Sequence, residues 1–339
     1  MHVASVSLPN PSLSGDGLRP VNLRTDLAAL ADLIETAFSD TMDSSGRAAV
    51  RELRSLGRGS PALNVLLGVN ELVAGISLGY VWVADGRLVG NVSIYPADIP
   101  SRLGKTWIIA NVATHPDYRG RGIATQLMQA SLETIRARGQ RAVLQVDYMN
   151  DVAQHLYRQL GFVVERAWTH WRRSSTLRLP APLTSVVRVN RRRDDEWRAE
   201  YALAARVRPA ERGGIGWQRP LHEGLFRPSW LKSLNDMLSF RSMERLVIRS
   251  QESGQSLHAS LWVESAFGSS TTQLTLLTDP DYAGIYDELL LNSAVRRFGA
   301  RSPLLLEHPA DDDLVRPLLM RYGFHPQRTH VHMRWGPGW

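Results

Sequence analysis

The sequence predicts an α/β protein of two tandem domains, and three features of the 339-residue chain support this prediction. An apolar run at Trp107–Ala113 leads through a glycine-containing loop into a helical pattern that ends at Arg138. Two further apolar runs, Gly79–Ala84 and Leu88–Tyr95, flank an Asp-Gly turn, which is typical of a β-hairpin. A similar order of elements returns in the second half, and the length fits about two domains of ordinary size.

In the first half, the predicted elements are strand, helix, hairpin, strand, helix, strand, helix and strand. Leu18–Leu23 predicts the first strand, and apolar residues at helical spacing from Leu27 to Phe38 predict an amphipathic helix. The elements after the hairpin are a strand at Trp107–Thr114, the helix ending at Arg138, a strand at Ala142–Asp147, a helix over Asn150–Gly161 and a strand at Val163–Arg172.

The second half repeats markers of the first. Thr114–Tyr118 has a counterpart in Thr278–Tyr282, and Gly161–Arg166 matches Gly323–Arg328. A segment with two prolines lies between the halves and is suited to a connector. We therefore predict a flexible tail at residues 1–15, a first domain at 16–173, a linker at 174–185 and a second domain at 186–339.

The loop between the central strand and its helix combines glycines with arginines. Gly120 and Gly122 let the main chain approach a bulky anion, because a Cβ would obstruct the contact or forbid the dihedrals. The helix start carries about half a positive charge, and Arg119 and Arg121 add charge-assisted donors. The pattern predicts a pyrophosphate site. It is not a Walker loop, which has Gly-Lys-Ser/Thr after its glycines, and it lacks the third glycine of the dinucleotide fingerprint.

Two segments resemble signatures of one family. Arg119, Gly122 and Ala124 resemble the Arg/Gln-x-x-Gly-x-Gly/Ala pattern of the GCN5-related N-acetyltransferases. Asn150–Phe162 resembles the family's second pattern, Asn-x-x-Ala-x-x-Leu-Tyr-x-x-x-Gly-Phe, at every defined position. Because both occur in the family's order and spacing, the chain is identified as a member.

The resemblance implies a mixed, mostly antiparallel sheet flanked by helices in each domain, and acetyl-coenzyme A as co-substrate without a metal. In the family, two central strands separate to admit the thioester, and the pantetheine arm pairs with one of them. Tyr157 would be the general acid that protonates the departing thiolate. The cofactor-binding residues implied are Val112, Ala113, Thr114, Arg119, Gly120, Arg121, Gly122, Ile123, Ala124, Thr125 and Asn150.

The resemblance also implies direct attack by a primary amine on the thioester. Tandem relatives favour a small-molecule amine over a protein as acceptor, with the second domain and the insert Ser39–Asn70 shaping the acceptor cleft. The general base stays open among Asp147, His115 and a backbone-held water, because the central strand has no carboxylate. A non-catalytic sensor of acetyl-coenzyme A is the main alternative, and a nucleic-acid-binding protein of this fold is a weaker one.

The second copy lacks the residues that the family uses at its cofactor site. We align Pro116 with Pro280, and Gly161 with Gly323, in two ungapped blocks. The counterparts of Arg119, Gly122, Ala124, Asn150 and Tyr157 are then Ala283, Tyr286, Glu288, Asp312 and Leu319. We therefore expect one cofactor site per chain, in the first domain.

Composition excludes several kinds of site. The chain has no cysteine, which excludes disulfides, thiolate metal sites and a cysteine nucleophile. The longest uncharged run, Leu72–Ala84, is shorter than the roughly 20 residues of a membrane-spanning helix. The N-terminal residues lack a secretory signal, so we expect a cytoplasmic protein without a membrane partner.

The charge distribution bears on the remaining partners. The net charge of +7 suits a polyanionic cofactor. Three acidic residues follow the basic triplet Arg191–Arg193 at once, which favours a solvated strand end over a nucleic-acid surface. His330 and His332 share a face of a predicted strand, but the pattern offers no third metal ligand. The oligomeric state, monomer or homodimer, stays open. Candidates for the acceptor pocket or the core are Trp82, Trp107, Trp168, Trp171, Trp217, Trp230 and Trp262.

Overall fold

The computed structural model describes residues 15–39, 42, 44–57, 78–100, 103–138, 140–229, 240–250, 256–266 and 268–337. Most of the predicted tail, much of the insert Ser39–Asn70, and Trp230 lie outside the described residues. The chain forms two compact units. Unit 1 contains the described residues up to Leu144, His155–Phe162 and those from Arg334 onward, and unit 2 contains Gln145–Gln154 and those within Val163–Met333.

The predicted domain limits mark the two copies in the sequence and stay a prediction. The compact units are composed differently, because Val163–Arg173, the last strand of the first copy, belongs to unit 2.

Unit 1 is built on a mostly antiparallel sheet. Its strands are β1 (Gly17–Pro20), β2 (Tyr80–Ala84), β3 (Arg87–Pro96), β4 (Thr106–Thr114) and the first part of β5 (Arg141–Asp147). Neighbours from β1 to β4 pair antiparallel, whereas β4 and β5 pair parallel. The helices are α1 (Leu27–Ala37), α2 (Ser44–Gly57) and α3 (Ile123–Arg136), and α4 (Asp151–Gln159) enters unit 1 at His155.

Local chemistry explains two boundaries in unit 1. Asp85 and Gly86 join β2 to β3 with φ angles of +52° and +69°. Two positive φ angles define a type I′ turn, which suits the twist of a hairpin. Strand β1 ends at Pro20, earlier than the predicted Leu23, because the N–H groups of residues 25 and 26 bond the Asn22 carbonyl in a turn.

The core of unit 1 lies against its sheet. Apolar side chains of α1 and α2 pack on each other and on Val81 of β2. Helix α3 buries Ile123, Leu127, Met128, Leu132 and Ile135, at the helical spacing expected from the sequence. This packing positions the N-terminus of α3 directly after the loop that follows β4.

Unit 2 has the same kind of sheet. Its strands are β6 (Val163–Arg173), β7 (Asn190–Arg191), β8 (Arg241–Arg249), β9 (Leu257–Ala266), β10 (Thr272–Thr278), β11 (Leu304–Pro309) and β12 (Phe324–Trp335), the last ending in unit 1. Their order is β12-β6-β11-β10-β9-β8-β7, and among the pairs whose registers are defined only β10 and β11 are parallel.

Helices cover both faces of the unit 2 sheet. They are α5 (Trp197–Val207), α6 (Ile285–Phe298) and α7 (Val315–Arg321). Leu290, Leu291, Ala294 and Val295 of α6 pack in the larger cluster, and Leu203 and Ala204 of α5 pack with Trp262 in a second one. Both units therefore have the predicted mixed α/β architecture. Within the described ranges, no helix is long and apolar enough to span a membrane.

Candidate active site

The parallel ladder between β4 and β5 is short. The ladder pairs Thr106 with Arg141, Trp107 with Ala142 and Ile108 with Val143, although β4 continues to Thr114. The backbone of β4 from Ile109 onward therefore has no partner in β5 in that register. Val112, Ala113 and Thr114 lie beyond this ladder, which is where the resemblance placed the pantetheine arm.

A β-bulge distorts β4 at the same place. Ala110 pairs with Ser93 and Ala113 with Asn91, so two residues of β4 oppose a single residue of β3. Asn111 has a φ of +52°, a left-handed conformation that asparagine tolerates better than most residues. A bulge of this kind redirects backbone groups at the edge of a site.

Buried polar side chains hold the bulge. Asn91 Nδ2 donates to the Asn111 carbonyl at 2.9 Å, and Asn111 Nδ2 donates to Ser93 Oγ at 3.3 Å. Asn91 and Ser93 are each 1% exposed. Sequence reasoning missed these three residues. The sequence feature that could have identified them is the presence of polar residues inside two otherwise apolar strands.

The predicted pyrophosphate loop has the geometry of an open backbone cradle. A short 3-10 turn at Pro116–Tyr118 leads into Arg119–Gly122, and α3 begins at Ile123. Gly120 and Gly122 both have a φ of +75°, and a Cβ at either position meets no atom within 4 Å. No described side chain caps the N-terminus of α3, and its first turn holds no acidic residue. The helix start is therefore available to an anion.

The two loop arginines lie along the cradle. Arg119 Nε donates to the Thr114 carbonyl at 3.4 Å, and Arg121 Nη2 donates to the Asp117 carbonyl at 3.2 Å. The Arg121 guanidinium also stacks 4.7 Å from the centre of the Tyr118 ring. Both arginines are exposed, so their remaining donors face solvent. The Ile123 side chain is buried, so the backbone N–H is the group of this residue that is suited to ligand contact. Ala124 and Thr125 are half-buried.

Tyr157 lies in unit 1 near the end of α4 and is 6% exposed. Its ring packs on Phe162 with centroids 5.9 Å apart. Burial raises the pKa of Tyr157 to about 12, so the phenol is protonated at neutral pH. A protonated phenol can donate a hydrogen bond or a proton, and it cannot serve as a base.

Asn150 lies in unit 2 at the start of α4. Its Oδ1 accepts the Ala153 N–H at 3.0 Å, which is the predicted N-cap bond. The side-chain oxygen is thus engaged locally, while the exposed amide nitrogen keeps its donors for a ligand.

Both side chains considered as general base take part in turns. His115 Nδ1 accepts the Asp117 N–H at 3.4 Å, and Asp147 Oδ1 accepts the Met149 N–H at 2.9 Å. Each bond gives its residue a structural role in a turn. Neither His115 nor Asp147 shows a feature that identifies it as the general base.

The second copy has a shorter loop, which corrects the residue correspondence predicted from the sequence. In the first copy four residues separate the 3-10 turn from α3, whereas only residues 283 and 284 separate the turn at Pro280–Tyr282 from α6. Gly122 therefore corresponds to Gly284, the N-cap of α6, and Ala124 to Tyr286. The ungapped alignment was wrong by two residues here, because two loop residues are missing.

An internal carboxylate occupies the helix start in the second copy. Asp287 Oδ2 accepts the Gly284 N–H at 2.6 Å, and its Oδ1 accepts the Thr278 hydroxyl at 2.6 Å. Asp287 is 1% exposed and corresponds to Thr125 of the first copy. The negative charge that a bound phosphate would supply is thus provided by the chain itself.

The two predicted strand histidines contact neighbours in unit 2. His332 Nε2 lies 2.8 Å from Gln145 Nε2, and the His330 ring meets the His170 ring edge-on at 5.3 Å. In the part of the chain that the structure describes, no group of three or more His, Asp or Glu side chains is placed to hold a metal ion.

Two comparisons match part of the chain to acetyltransferases. The acetyltransferase (GNAT) family model matches residues 63–162. N-alpha-acetyltransferase 30 of Schizosaccharomyces pombe is 38% identical over 84 residues, which are 24% of this chain and 55% of that protein. The chain thus spans about half the length of this curated relative.

One solved structure shares the fold over nearly the whole chain. A GCN5-related N-acetyltransferase from Sphaerobacter thermophilus superposes with a TM-score of 0.56 at 17% identity, covering 95% of this chain and 96% of that one. A tandem GNAT protein from the clavulanic acid biosynthesis pathway has a TM-score of 0.47 at 15% identity, covering 95% and 98%. The fold is that of an acetyltransferase. Residues 63–162 match the acetyltransferase (GNAT) family, and the chain is similar to N-acetyltransferases over that part.

Proposed function

We propose that this protein is an N-acetyltransferase that transfers the acetyl group of acetyl-coenzyme A to a primary amine of a small molecule. The observation that carries the proposal is the uncapped start of α3. It follows two left-handed glycines and a strand that continues beyond its parallel ladder. Backbone N–H groups from Gly120 to Thr125, with Arg119 and Arg121, would hold the pyrophosphate.

The end of β4 beyond its ladder with β5 would hold the pantetheine arm and the thioester of the cofactor. On the side of β4 that faces away from β3, the backbone N–H and C=O groups of Val112–Thr114 would bond the pantetheine arm, as they would bond an added strand. The bulge at Asn111 re-aims the N–H groups that follow it, and those of Val112 and Ala113 are our candidates for stabilising the tetrahedral oxyanion. Asn91 and Ser93 hold that bulge in place and so act as positioning residues.

Tyr157 is our proposed general acid. Its pKa of about 12 keeps the proton on the phenol until the thiolate forms. A thiol has a pKa near 8.5, so complete transfer from Tyr157 is uphill by roughly 3.5 pKa units, or about 5 kcal/mol. We therefore expect the hydroxyl to act mainly by hydrogen bonding to the departing sulfur. Its contribution should lie near the lower end of the ~100- to 10,000-fold typical of general acids.

The acceptor amine must lose its proton before it attacks the thioester, because an ammonium has no lone pair. A small-molecule amine is our first candidate. The matched relative is by name an N-alpha-acetyltransferase, so the α-amino group of a peptide is the second candidate.

The experiment is a pair of measurements on the full chain. Calorimetric titration with acetyl-coenzyme A should give one site per chain, because Asp287 already fills the equivalent position of the second copy. Thiol release is then followed across small amines and a short peptide. Release with an amine and not without one supports the transferase. Tight binding with no release in any mixture would instead favour a sensor, and absence of binding would overturn both.

A further inference from the structure

Five side chains form a polar and aromatic group on one face of the unit 2 sheet, which we call the histidine cluster. They are His330 and His332 of β12, Trp168 and His170 of β6, and Glu307 of β11, three neighbouring strands. Glu307 and His170 are Cα partners in the antiparallel ladder, so their side chains share a face. Trp168 stacks on His332 at 5.8 Å, and His170 meets His330 at 5.3 Å.

Four polar atoms of this cluster are buried and have no hydrogen-bond partner among the described residues. They are Trp168 Nε1, His170 Nε2, His330 Nδ1 and Glu307 Oε1. More than nine in ten buried polar groups in proteins are paired, and each exception needs an explanation. Four exceptions on three adjacent strands indicate a surface that contacts a polar ligand. His170, His330 and Glu307 keep partial exposure as whole residues, although the four unpaired atoms are themselves buried.

The Glu307 carboxylate is held at one oxygen and open at the other. Its carboxylate accepts a hydrogen bond from the Trp217 backbone N–H, and Gly216 is needed beside it because a Cβ there would lie 2.9 Å from Oε2. Oε1 lies 3.5 Å from His332 Nε2, which is not hydrogen-bonded to it. Oε1 therefore keeps its acceptor capacity, since its contact with His332 is not a hydrogen bond.

The groups facing Glu307 leave its charge incompletely balanced. Burial lowers the pKa of His332 to about 3 and that of His170 to about 4, so both rings are neutral at pH 7. Arg219 is committed to Glu264, at 3.0 Å. Burial raises the pKa of Glu307 to about 7, against smaller lowering effects of the Trp217 N–H and Arg219. A cation that paired with Oε1 would favour the ionised form of the Glu307 carboxylate.

We infer that the histidine cluster binds a small amino alcohol or amino sugar through its primary ammonium group, with Glu307 as the anionic partner. An ammonium carries three N–H donors, and Glu307 Oε1 and the neighbouring His170 Nε2 are acceptors for two of them. Trp168 Nε1 is a donor that fits a ligand hydroxyl, and His330 Nδ1 fits a further polar group. Naming this amine as the acetyl acceptor rests on the proposed function, whereas its binding does not.

Binding is tested on the full chain without acetyl-coenzyme A. The probes are ethanolamine, 4-aminobutanol and glucosamine, and the neutral controls are ethylene glycol, 1,4-butanediol and glucose. We expect at least one amine to bind at least tenfold more tightly than its neutral control. Glu307→Gln should weaken that binding at least tenfold. Glu244→Gln is the matched control, because Glu244 is a carboxylate of the same unit that already pairs with Arg297 at 2.8 Å, and it should bind normally.

Proton release provides a readout that a purely structural glutamate would not show. With a pKa of about 7, Glu307 is mostly protonated at pH 6 and must ionise to pair with an ammonium. For ethanolamine and 4-aminobutanol, whose ammonium groups stay protonated at both pH values, calorimetry in buffers of different ionisation enthalpy should therefore detect about 0.9 proton released per ligand at pH 6 and about 0.1 at pH 8. Thermal melting of Glu307→Gln checks that the variant is folded.

Three results would overturn the inference: no binding by any amine, equal binding by the neutral controls, or full affinity in folded Glu307→Gln. Binding of Zn²⁺ alone, without any amine, would also overturn it. Failure of the proposed function would look different, because acetyl-coenzyme A titration and thiol release would then fail while amine binding persisted.

Discussion

Replacing Gly122 by glutamate tests whether the loop before α3 holds the cofactor pyrophosphate. Gly122 is exposed with a φ of +75°, and an added Cβ meets no atom within 4 Å. The new side chain therefore fits, but a left-handed conformation costs a residue other than glycine about 1–2 kcal/mol. We expect a folded variant with that loss of stability.

The effect on cofactor affinity should be much larger. A carboxylate about 5 Å from a phosphate charge, at an effective dielectric constant of about 20, is repelled by about 3 kcal/mol. Loss of one charge-assisted hydrogen bond adds about 1.5–3 kcal/mol. Together these terms predict that acetyl-coenzyme A binds well over a hundredfold more weakly.

Gly284→Glu is the matched control. Gly284 is the N-cap of α6, has a φ of +83° and has equally open space for a Cβ, but its ψ of −40° lies outside the left-handed helical region, so the loss of stability should be larger than at Gly122. Its helix start is already occupied by the Asp287 carboxylate, and cofactor affinity should not change. Calorimetric titration and thermal melting of both variants decide the matter. Normal affinity in folded Gly122→Glu, or an equal loss in both variants, would refute the placement of the pyrophosphate.

Three further predictions concern other parts of the chain. Tyr157→Phe keeps the ring packing on Phe162, so affinity for acetyl-coenzyme A should hold while kcat falls by about 10- to 100-fold, and an unchanged kcat would exclude the phenol as the acid. Asn111→Ala should lower the free energy of unfolding by about 1–2 kcal/mol and should also lower kcat/KM, because alanine disfavours a φ of +52°. Asn111→Gly tolerates this φ and should melt at a higher temperature than Asn111→Ala. Equal melting temperatures of the two variants would argue against the bulge conformation. Burial lowers the pKa of His332 in the folded state to about 3, whereas an unfolded histidine has a pKa of about 6.5. The neutral His332 ring therefore contributes its full share of the folding free energy above pH 6.5, and this share is lost as the pH falls. Denaturant titrations should show wild type losing about 2 kcal/mol more than His332→Gln between pH 7 and pH 5, and identical losses would mean that His332 does not stay neutral.

Local chemistry made much of the fold and the cofactor loop predictable from the sequence. Asp85 and Gly86 adopt the positive φ angles that an Asp-Gly hairpin turn requires. Asn150 caps α4 through Ala153, three residues away. The glycines before α3 have the left-handed backbone that only glycine adopts at little cost. Each of these features depends on residues close together in the chain, so short patterns identify them. The roles of these residues in binding and catalysis stay predictions.

Only the tertiary structure decided which distant residues meet. Asn91 and Ser93 become bulge-holding groups because β3 places them against Asn111 of β4. The shorter second loop was invisible to an ungapped alignment until helix α6 was seen to begin at Ile285. Glu307 resembles any strand glutamate in the sequence. Its raised pKa arises from burial on a face it shares with His170 and His332, and burial depends on packing between strands far apart in the chain.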